Sequence, residues 1–476
     1  MRSVTTNIPQ RMDRLPWSRW HWLIVIALGV TWILDGLEVT IVGALGAVLT
    51  RPTTLNLTES EVGLTASAYL AGSVAGAVLF SYLTDRQGRK RWFIITLLLY
   101  LTATVLTAFS WNLWSFMLFR FLAGAGIGGE YSAINSAIDE LIPARARGQT
   151  DLAINGSWWV GTIAGALLTI PLLNPNVISE DIGWRLCFAL GAILGLGIVL
   201  IRRIVPESPR WLMTHGKVDE AEAIVRQIEE TVKRDEGLDA LPHPEGSITV
   251  RPLAHTGFGT LVRELFKTYP TRTVLGMTLM VTQSFLYNAI FFTYALVLVK
   301  FYGVPAGSIG LYILPFAVVN FLGPLLLGRF FDTIGRKPML TFTYALSGAL
   351  LAVTGYLFSQ GYLSAVTQTI AWSVIFFFAS ADASAAYLTV SEIFPMEIRA
   401  MAIAFFFVVG QGAGTFAPWL FGTLIETSAM SVFYGDLIGA GFMILGAIVA
   451  MLFGVKAERQ SLETLATPLS ARDVEA

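Results

Sequence analysis

Long apolar runs, broken by short charged turns, recur along almost the whole chain. A helix needs roughly 20 apolar residues to cross the hydrocarbon core of a bilayer. Twelve stretches meet that length, at roughly 22–49, 62–83, 92–110, 113–139, 149–172 and 184–203, then 272–299, 308–329, 338–357, 363–390, 398–422 and 433–455. The first run is too long for the core of a cleavable signal, and residues 1–21 before it are polar and basic, so a permanent first span is expected. The pattern divides the chain into an N-terminal segment (1–21), a first six-helix bundle (22–203), a linker (204–271), a second six-helix bundle (272–455) and a tail (456–476). Within the linker, Lys217 to Arg234 reads as a surface helix carrying the i,i+4 pairs Glu222–Arg226, Glu229–Lys233 and Glu230–Arg234. A breaker-rich stretch, DALPHPEGS, follows it, and Arg263 to Tyr269 reads as an amphipathic lead-in to the seventh span. The tail is polar and predicted to be disordered.

The two halves repeat one another. Ser81 to Lys90 reads SYLTDRQGRK, and Gly328 to Lys337, roughly 250 residues on, reads GRFFDTIGRK. Glu140 to Gly148 reads ELIPARARG, and Glu392 to Ala400 reads EIFPMEIRA. A repeat of this kind between long apolar helices is the mark of a two-fold pseudosymmetric transporter. The predicted fold is therefore an all-α membrane protein, with twelve transmembrane helices in two pseudosymmetric six-helix bundles.

Composition agrees. Of 476 residues 54% are hydrophobic and only 14% charged, against about 25% charged in soluble domains. The single Cys187 excludes an internal disulfide and a cysteine metal cluster, and the four His show no HExxH spacing. No metal or cofactor is expected. A net charge of −1 without a basic tract points away from nucleic acid. Neither a Walker A sequence nor a nucleophile–base cluster at membrane depth is present, so an enzyme is not expected. The expected partners are a small-molecule substrate, the proton and the lipid bilayer, with the protein acting as a monomer.

Lys and Arg set the orientation. They crowd before the first span and in the loops after the second, fourth and eighth, whereas the alternate loops carry only Arg51, Arg185 and Lys300. Both termini are expected to be cytoplasmic. The short external loops suggest a bacterial inner membrane.

These phrases resemble those of the major facilitator superfamily. Its G-x-x-x-D-R-x-G-R-K loop is matched by Asp85, Arg86, Gly88, Arg89 and Lys90, with Ser81 in place of the first Gly, and again by Gly328, Asp332, Gly335, Arg336 and Lys337. Pro206 to Leu212, PESPRWL, looks like the phrase shared by sugar porters, organic-ion transporters and bacterial metabolite:proton symporters. The resemblance covers nearly the whole chain and implies alternating access. Asp85, Arg89, Glu140, Arg147, Asp332, Arg336, Glu392 and Arg399 are the gating candidates: an ion-pair network there would close the cytoplasmic side in one state and break in the other. Basic turns also serve topology alone.

Charges at membrane depth are functional candidates because they are costly there. Five lie well inside the spans: Asp35, Glu38, Arg120, Glu130 and Asp382. Asp35 and Glu38 share a helix face. At ~1.5 Å per residue, Glu38 and Arg120 lie at similar depth, roughly 12–17 Å from the outer end, with Asp35 about one turn deeper. Either carboxylate could pair with Arg120, and a carboxylate beside a movable Arg is a proton switch. Glu130 and Asp382 each stand ten residues before the Glu of the second repeated phrase, so they occupy equivalent positions. They are candidates for lining the inner cavity or binding a proton. Asp35-Gly-Leu-Glu38 resembles the D-G-x-D motif of aromatic-acid:proton symporters, with Glu for the second Asp. Gln283 and Asn288 fit two positions of the Q-Q-x-x-G-x-N motif of sugar porters, in which Thr282 and Leu286 replace the first Gln and the Gly.

Arg120, Gln283, Tyr287, Asn288 and Gln411, with the rings of Trp158 and Trp372, are the substrate-binding candidates. The leading expectation is proton-coupled symport of a small organic acid whose carboxylate Arg120 receives. The alternatives are a sugar or polyol porter, then a metabolite or drug exporter. A transporter-like sensor lacks the long cytoplasmic tail it would need.

Overall fold

The computed structural model describes residues 4–49, 51–57, 59–173, 177–202, 205–244, 246–250, 257–304, 309–414 and 416–469. The first half is built from α2 (Arg19–Leu49), α3 (Glu59–Gln87), α4 (Arg89–Ala108), α5 (Leu113–Leu141), the pair α6 (Arg147–Gly156) and α7 (Trp158–Leu172), and α8 (Glu180–Arg202). A short α1 (Ile8–Asp13) precedes them. The linker holds α9 (Pro209–Thr214), α10 (Val218–Glu236) and α11 (Phe258–Arg263), the last running into a π-helical turn, Glu264–Thr268. The second half repeats the pattern with α12 (Pro270–Tyr302), α13 (Ile309–Thr333), α14 (Arg336–Ser359), α15 (Ala365–Glu392), the pair α16 (Arg399–Gly414) and α17 (Phe416–Thr427), and α18 (Ala429–Phe453). A last turn, α19 (Leu462–Leu465), lies in the tail.

The helices exceed the apolar runs because hydrogen bonding continues through the charged turns. The fifth span is interrupted at Ser157, whose hydroxyl donates to the carbonyls of Ile154 (2.6 Å) and Gly29 (3.1 Å). This is the fold of two pseudosymmetric six-helix bundles. Among the described residues, six helices are long and apolar enough on those grounds alone to cross a membrane. Polarity is inverted relative to a soluble protein: Leu118, Phe342 and Ile448 face outward, while Glu38, Arg120, Glu130 and Asp382 are buried. A lipid-facing surface requires that arrangement.

Small residues let the helices approach closely. A Cβ at Gly124 or Gly128 of α5 would collide with the backbone of α3, and one at Gly72 or Gly76 of α3 with that of α5. The repeat is visible in backbone detail. Gly88 (φ 102°) and Gly335 (φ 120°) hold the same left-handed turn before α4 and α14. Each following helix start meets a glutamate from later in the chain: Glu207 accepts from Lys90 N (3.2 Å) and Glu458 from Arg336 N (3.3 Å).

Three expectations change. The N-terminal segment and the linker form a two-stranded antiparallel ribbon, Val4–Thr6 against Ile248–Val250, with Thr5 opposite Thr249, a small addition to an otherwise helical fold. The surface helix α10 is present, but Glu222 and Glu229 turn to Arg11 of α1 instead of to the predicted i,i+4 partners, while Ala221, Val225, Ile228 and Val232 are buried along its other face. The tail is ordered through residue 469: Leu462, Leu465 and Ala466 are buried, and Arg272 donates to Leu465 O at 2.8 Å. Apolar contacts spaced one turn apart offset the chain entropy that polar composition alone would leave uncompensated.

Candidate functional site

Between the halves lies a cavity of about 490 Å³. Helices α2, α3, α6 and α7 supply Trp32, Asp35, Tyr69, Asn155, Trp158 and Trp159 from one side. Helices α12, α15 and α16 supply Gln283, Tyr287, Asn288, Ser384, Tyr387 and Gln411 from the other. The wall is thus aromatic with amides set into it, the make-up of a small-molecule site. Trp158 meets Trp159 edge-to-face at 4.9 Å, and Trp159 lies 6.1 Å from Tyr287. Asn288 donates to Ser284 Oγ (3.2 Å) and Tyr287 to Asn320 Oδ1 (3.0 Å).

Asp35 is the one charged side chain on this wall among the described residues. Tyr69 Oη donates to its Oδ1 and Trp158 Nε1 to its Oδ2, each at 2.7 Å. Behind it, away from the cavity, Glu38 pairs with Arg120; both are buried. Thr104 Oγ1 donates to the second Glu38 oxygen at 3.0 Å. The Arg120 guanidinium stacks on the ring of Tyr69, 4.2 Å from its centroid. Arg120, Tyr69 and Asp35 therefore form one line of contact from the ion pair to the cavity.

Glu38, not Asp35, is thus the partner of Arg120. Gln283, Tyr287, Asn288, Gln411 and Trp158 line the cavity together, whereas Arg120 and Trp372 do not. Arg120 is spent on Glu38, and Trp372 packs against Tyr294 at 4.9 Å. Glu130 and Asp382 are fully buried and also off the cavity wall. Thr96 Oγ1 donates to Glu130 Oε1 at 2.8 Å. Tyr69, Asn155, Tyr387 and Trp32 escaped sequence reasoning. A phenol or an amide within an apolar run was the available signal, and it does not say which helix face turns inward.

On the face bearing the termini the repeated motifs converge. Arg147 reaches Glu392 across the seam between the halves at 3.4 Å, and Glu392 also takes Arg336 at 3.1 Å. Asp332 pairs with Arg336 at 2.7 Å and accepts from the first amides of α6, Gly148 N (3.2 Å) and Gln149 N (2.7 Å). A carboxylate there satisfies orphan donors at a helix N-terminus. Arg399 approaches Glu140 at 3.5 Å in the reciprocal cross-seam contact. Asp85 lies in α3 and Arg89 opens α4, but their side chains are outside the described ones.

The termini join this cluster. Arg210 of PESPRWL bridges Asp13 (3.0 Å) and Glu463 (3.2 Å). Burial alone would lower the Arg210 guanidinium, but Glu463, Asp13 and Glu140 outweigh it and raise it above its ordinary value. Likewise burial would raise the Glu229 carboxyl, but hydrogen bonds from Arg11 and Arg14 hold it below the usual range. The terminus-bearing side is therefore closed by ion pairs.

The family described as sugar (and other) transporter matches residues 23–468. The chain is 28% identical to the niacin transporter NiaP of Acinetobacter baylyi over 413 residues, covering 87% of this chain and 89% of that protein. It is 26% identical to the inner membrane metabolite transport protein YdjE of Escherichia coli, covering 96% and 98%. Among solved structures, the proton:xylose symporter XylE bound to 6-bromo-6-deoxy-D-glucose superposes with a TM-score of 0.77 at 21% identity, covering 94% and 98%. The inward-open form of XylE from E. coli, also 21% identical and covering 93% and 98%, superposes with a TM-score of 0.61. The chain belongs to the sugar (and other) transporter family, and it is a multi-pass membrane transporter of the major facilitator superfamily.

Proposed function

We propose that the protein is a proton-coupled symporter of a small, ring-bearing organic acid, working by alternating access in a bacterial inner membrane with both termini cytoplasmic. The observation that carries this reading is the charge of the cavity wall, where Asp35 is the one charged side chain among the described lining residues. An anion about 4 Å from an ionised Asp35 meets a repulsion of about 4 kcal/mol at an effective dielectric near 20, roughly a thousandfold in affinity. A substrate carboxylate therefore binds when Asp35 carries a proton. Tyr69 and Trp158, released from the carboxylate, then donate to the substrate. Proton and acid enter as a neutral pair, which is obligate coupling. Trp158, Trp159 and Tyr287 offer faces for a planar ring. The niacin transporter among the relatives fits this substrate class.

Glu38 and Arg120 tune the switch through Tyr69 and do not receive the substrate directly. Residues 22–203 and 272–455 act as the two rocking bundles, a monomer being sufficient, with 204–271 as the cytoplasmic linker. Asp332, Arg336, Glu392 and Arg147, with Glu140 and Arg399, form the gate that breaks when the cytoplasmic side opens, and Asp85 and Arg89 are its first-half counterparts by sequence repeat.

A second reading, a sugar or polyol porter, is favoured by the amides Asn155, Gln283, Asn288 and Gln411, which suit hydroxyl groups. Uptake of labelled aromatic acids, aliphatic acids, sugars and polyols into proteoliposomes, with and without an inward proton gradient, separates the two. Gradient-driven accumulation of an aromatic acid supports the first. Accumulation or equilibration of a sugar in preference to any acid overturns it.

A further inference from the structure

Asp382 on α15 is completely buried, and neither of its carboxylate oxygens has a hydrogen-bond partner. The polar group facing it is the Ser347 hydroxyl of α14, which is equally buried. The titratable groups around the pair are the phenols of Tyr287 on α12 and Tyr344 on α14, and among the described residues no cation answers the carboxylate. Its counterpart in the repeat, Glu130, is held by Thr96. An unpaired buried carboxylate is too costly to stay ionised, so Asp382 is neutral in this terminus-closed state. It is also well placed to change. Its neighbours Ser380, Ala383 and Ser384 line the cavity, and ten residues on, the same helix ends at Glu392 in the closing ion pairs.

We propose that Asp382 is a second protonation site, carried by the C-terminal half: it takes a proton from the side opposite the termini by way of the cavity, holds it as the carboxylic acid while the terminus-bearing face is closed, and yields it to water on the terminus side when that face opens. The inference rests on the coupled-carrier reading and adds a proton to each cycle beyond the one at Asp35. Movement of α15 with its bundle exposes the carboxyl, and solvation then stabilises the ionised form.

Two measurements test this in proteoliposomes holding the full chain. The first is the proton:substrate ratio from the gradient at which net flux reverses. Asp382→Asn is expected to lower it by one while substrate counterflow stays within about threefold of wild type, and Glu130→Gln to leave it unchanged. The second needs no variant: a lipid-soluble carbodiimide, which modifies protonated carboxyls in apolar surroundings, is expected to label Asp382 of the wild-type protein, as read by peptide mass spectrometry. An unchanged ratio in Asp382→Asn, or an unlabelled Asp382 in the wild type, overturns the proposal. A wild type that moves substrate without protons overturns the coupled-carrier reading itself, and with it the added proton, whatever the labelling.

Discussion

Arg147 of the first half and Glu392 of the second meet at 3.4 Å across the seam, both fully buried, in a contact that only the closed state of this face can make. Glu392 holds Arg336 as well, so one carboxylate ties α6, α14 and α15 together. Hydrogen bonds to charged groups contribute about 1.5–3 kcal/mol each. Glu392→Gln is therefore expected to move the equilibrium at least tenfold toward the terminus-open state. A cysteine introduced at cavity-lining Ser384 would report this as faster thiol labelling from the terminus side; unchanged labelling would remove Glu392 from the gate.

Gly148 follows Arg147 and lies against Asp332 and Arg336, where a Cβ would collide with both side chains. Bulk here should wedge the seam apart. Gly148→Leu is expected to abolish accumulation while leaving expression and detergent stability near wild type, and Gly148→Ala to be milder. The same thiol-labelling assay, run on Gly148→Leu, should show the terminus-open state.

Asp35 accepts two hydrogen bonds on the cavity wall, and an amide can accept with only one of its two polar atoms. Asp35→Asn mimics the protonated form. It is expected to exchange substrate across the membrane within several-fold of the wild-type rate, yet to move one proton fewer per substrate and so to accumulate less at a given gradient. An unchanged proton:substrate ratio would show that this coupling proton sits elsewhere.

The Glu38–Arg120 pair should be strongly non-additive. Arg120→Ala strands a buried carboxylate, which costs about 3–5 kcal/mol. Arg120→Met combined with Glu38→Gln removes both charges and is expected to regain most of the lost thermal stability in detergent without regaining transport. Additive losses in a double-mutant cycle would contradict the pairing.

Outside the membrane, Glu229 links α10 to α1 through Arg11 and Arg14. Its carboxyl is held below the ordinary glutamate value, so its stabilising contribution is fully present above that value and is lost as pH falls through the depressed one. Protease access to the N-terminal segment should stay low from neutral pH down to about 4.5 and rise below it. In Glu229→Gln it should already be raised at neutral pH.

The fold was legible because its signals are local. Apolar length announces a span, a charge inside one announces a site, and the doubled phrases around Asp85, Asp332, Glu140 and Glu392 announce two related halves. Those features depend only on the cost of placing polar groups in hydrocarbon, which each segment meets by itself. The helix-1 carboxylates show where this ends. Asp35 and Glu38 share one face a turn apart, and the packing of α5 against α2 decides that Glu38 meets Arg120 while Asp35 faces the cavity. Asn155, Tyr69 and Tyr387 come from three helices distant in sequence, and only their assembly makes them one wall. The tail was misjudged for the same reason: its polar composition hides Leu462, Leu465 and Glu463, whose partners lie hundreds of residues away in sequence and exist only once the bundles have closed around them.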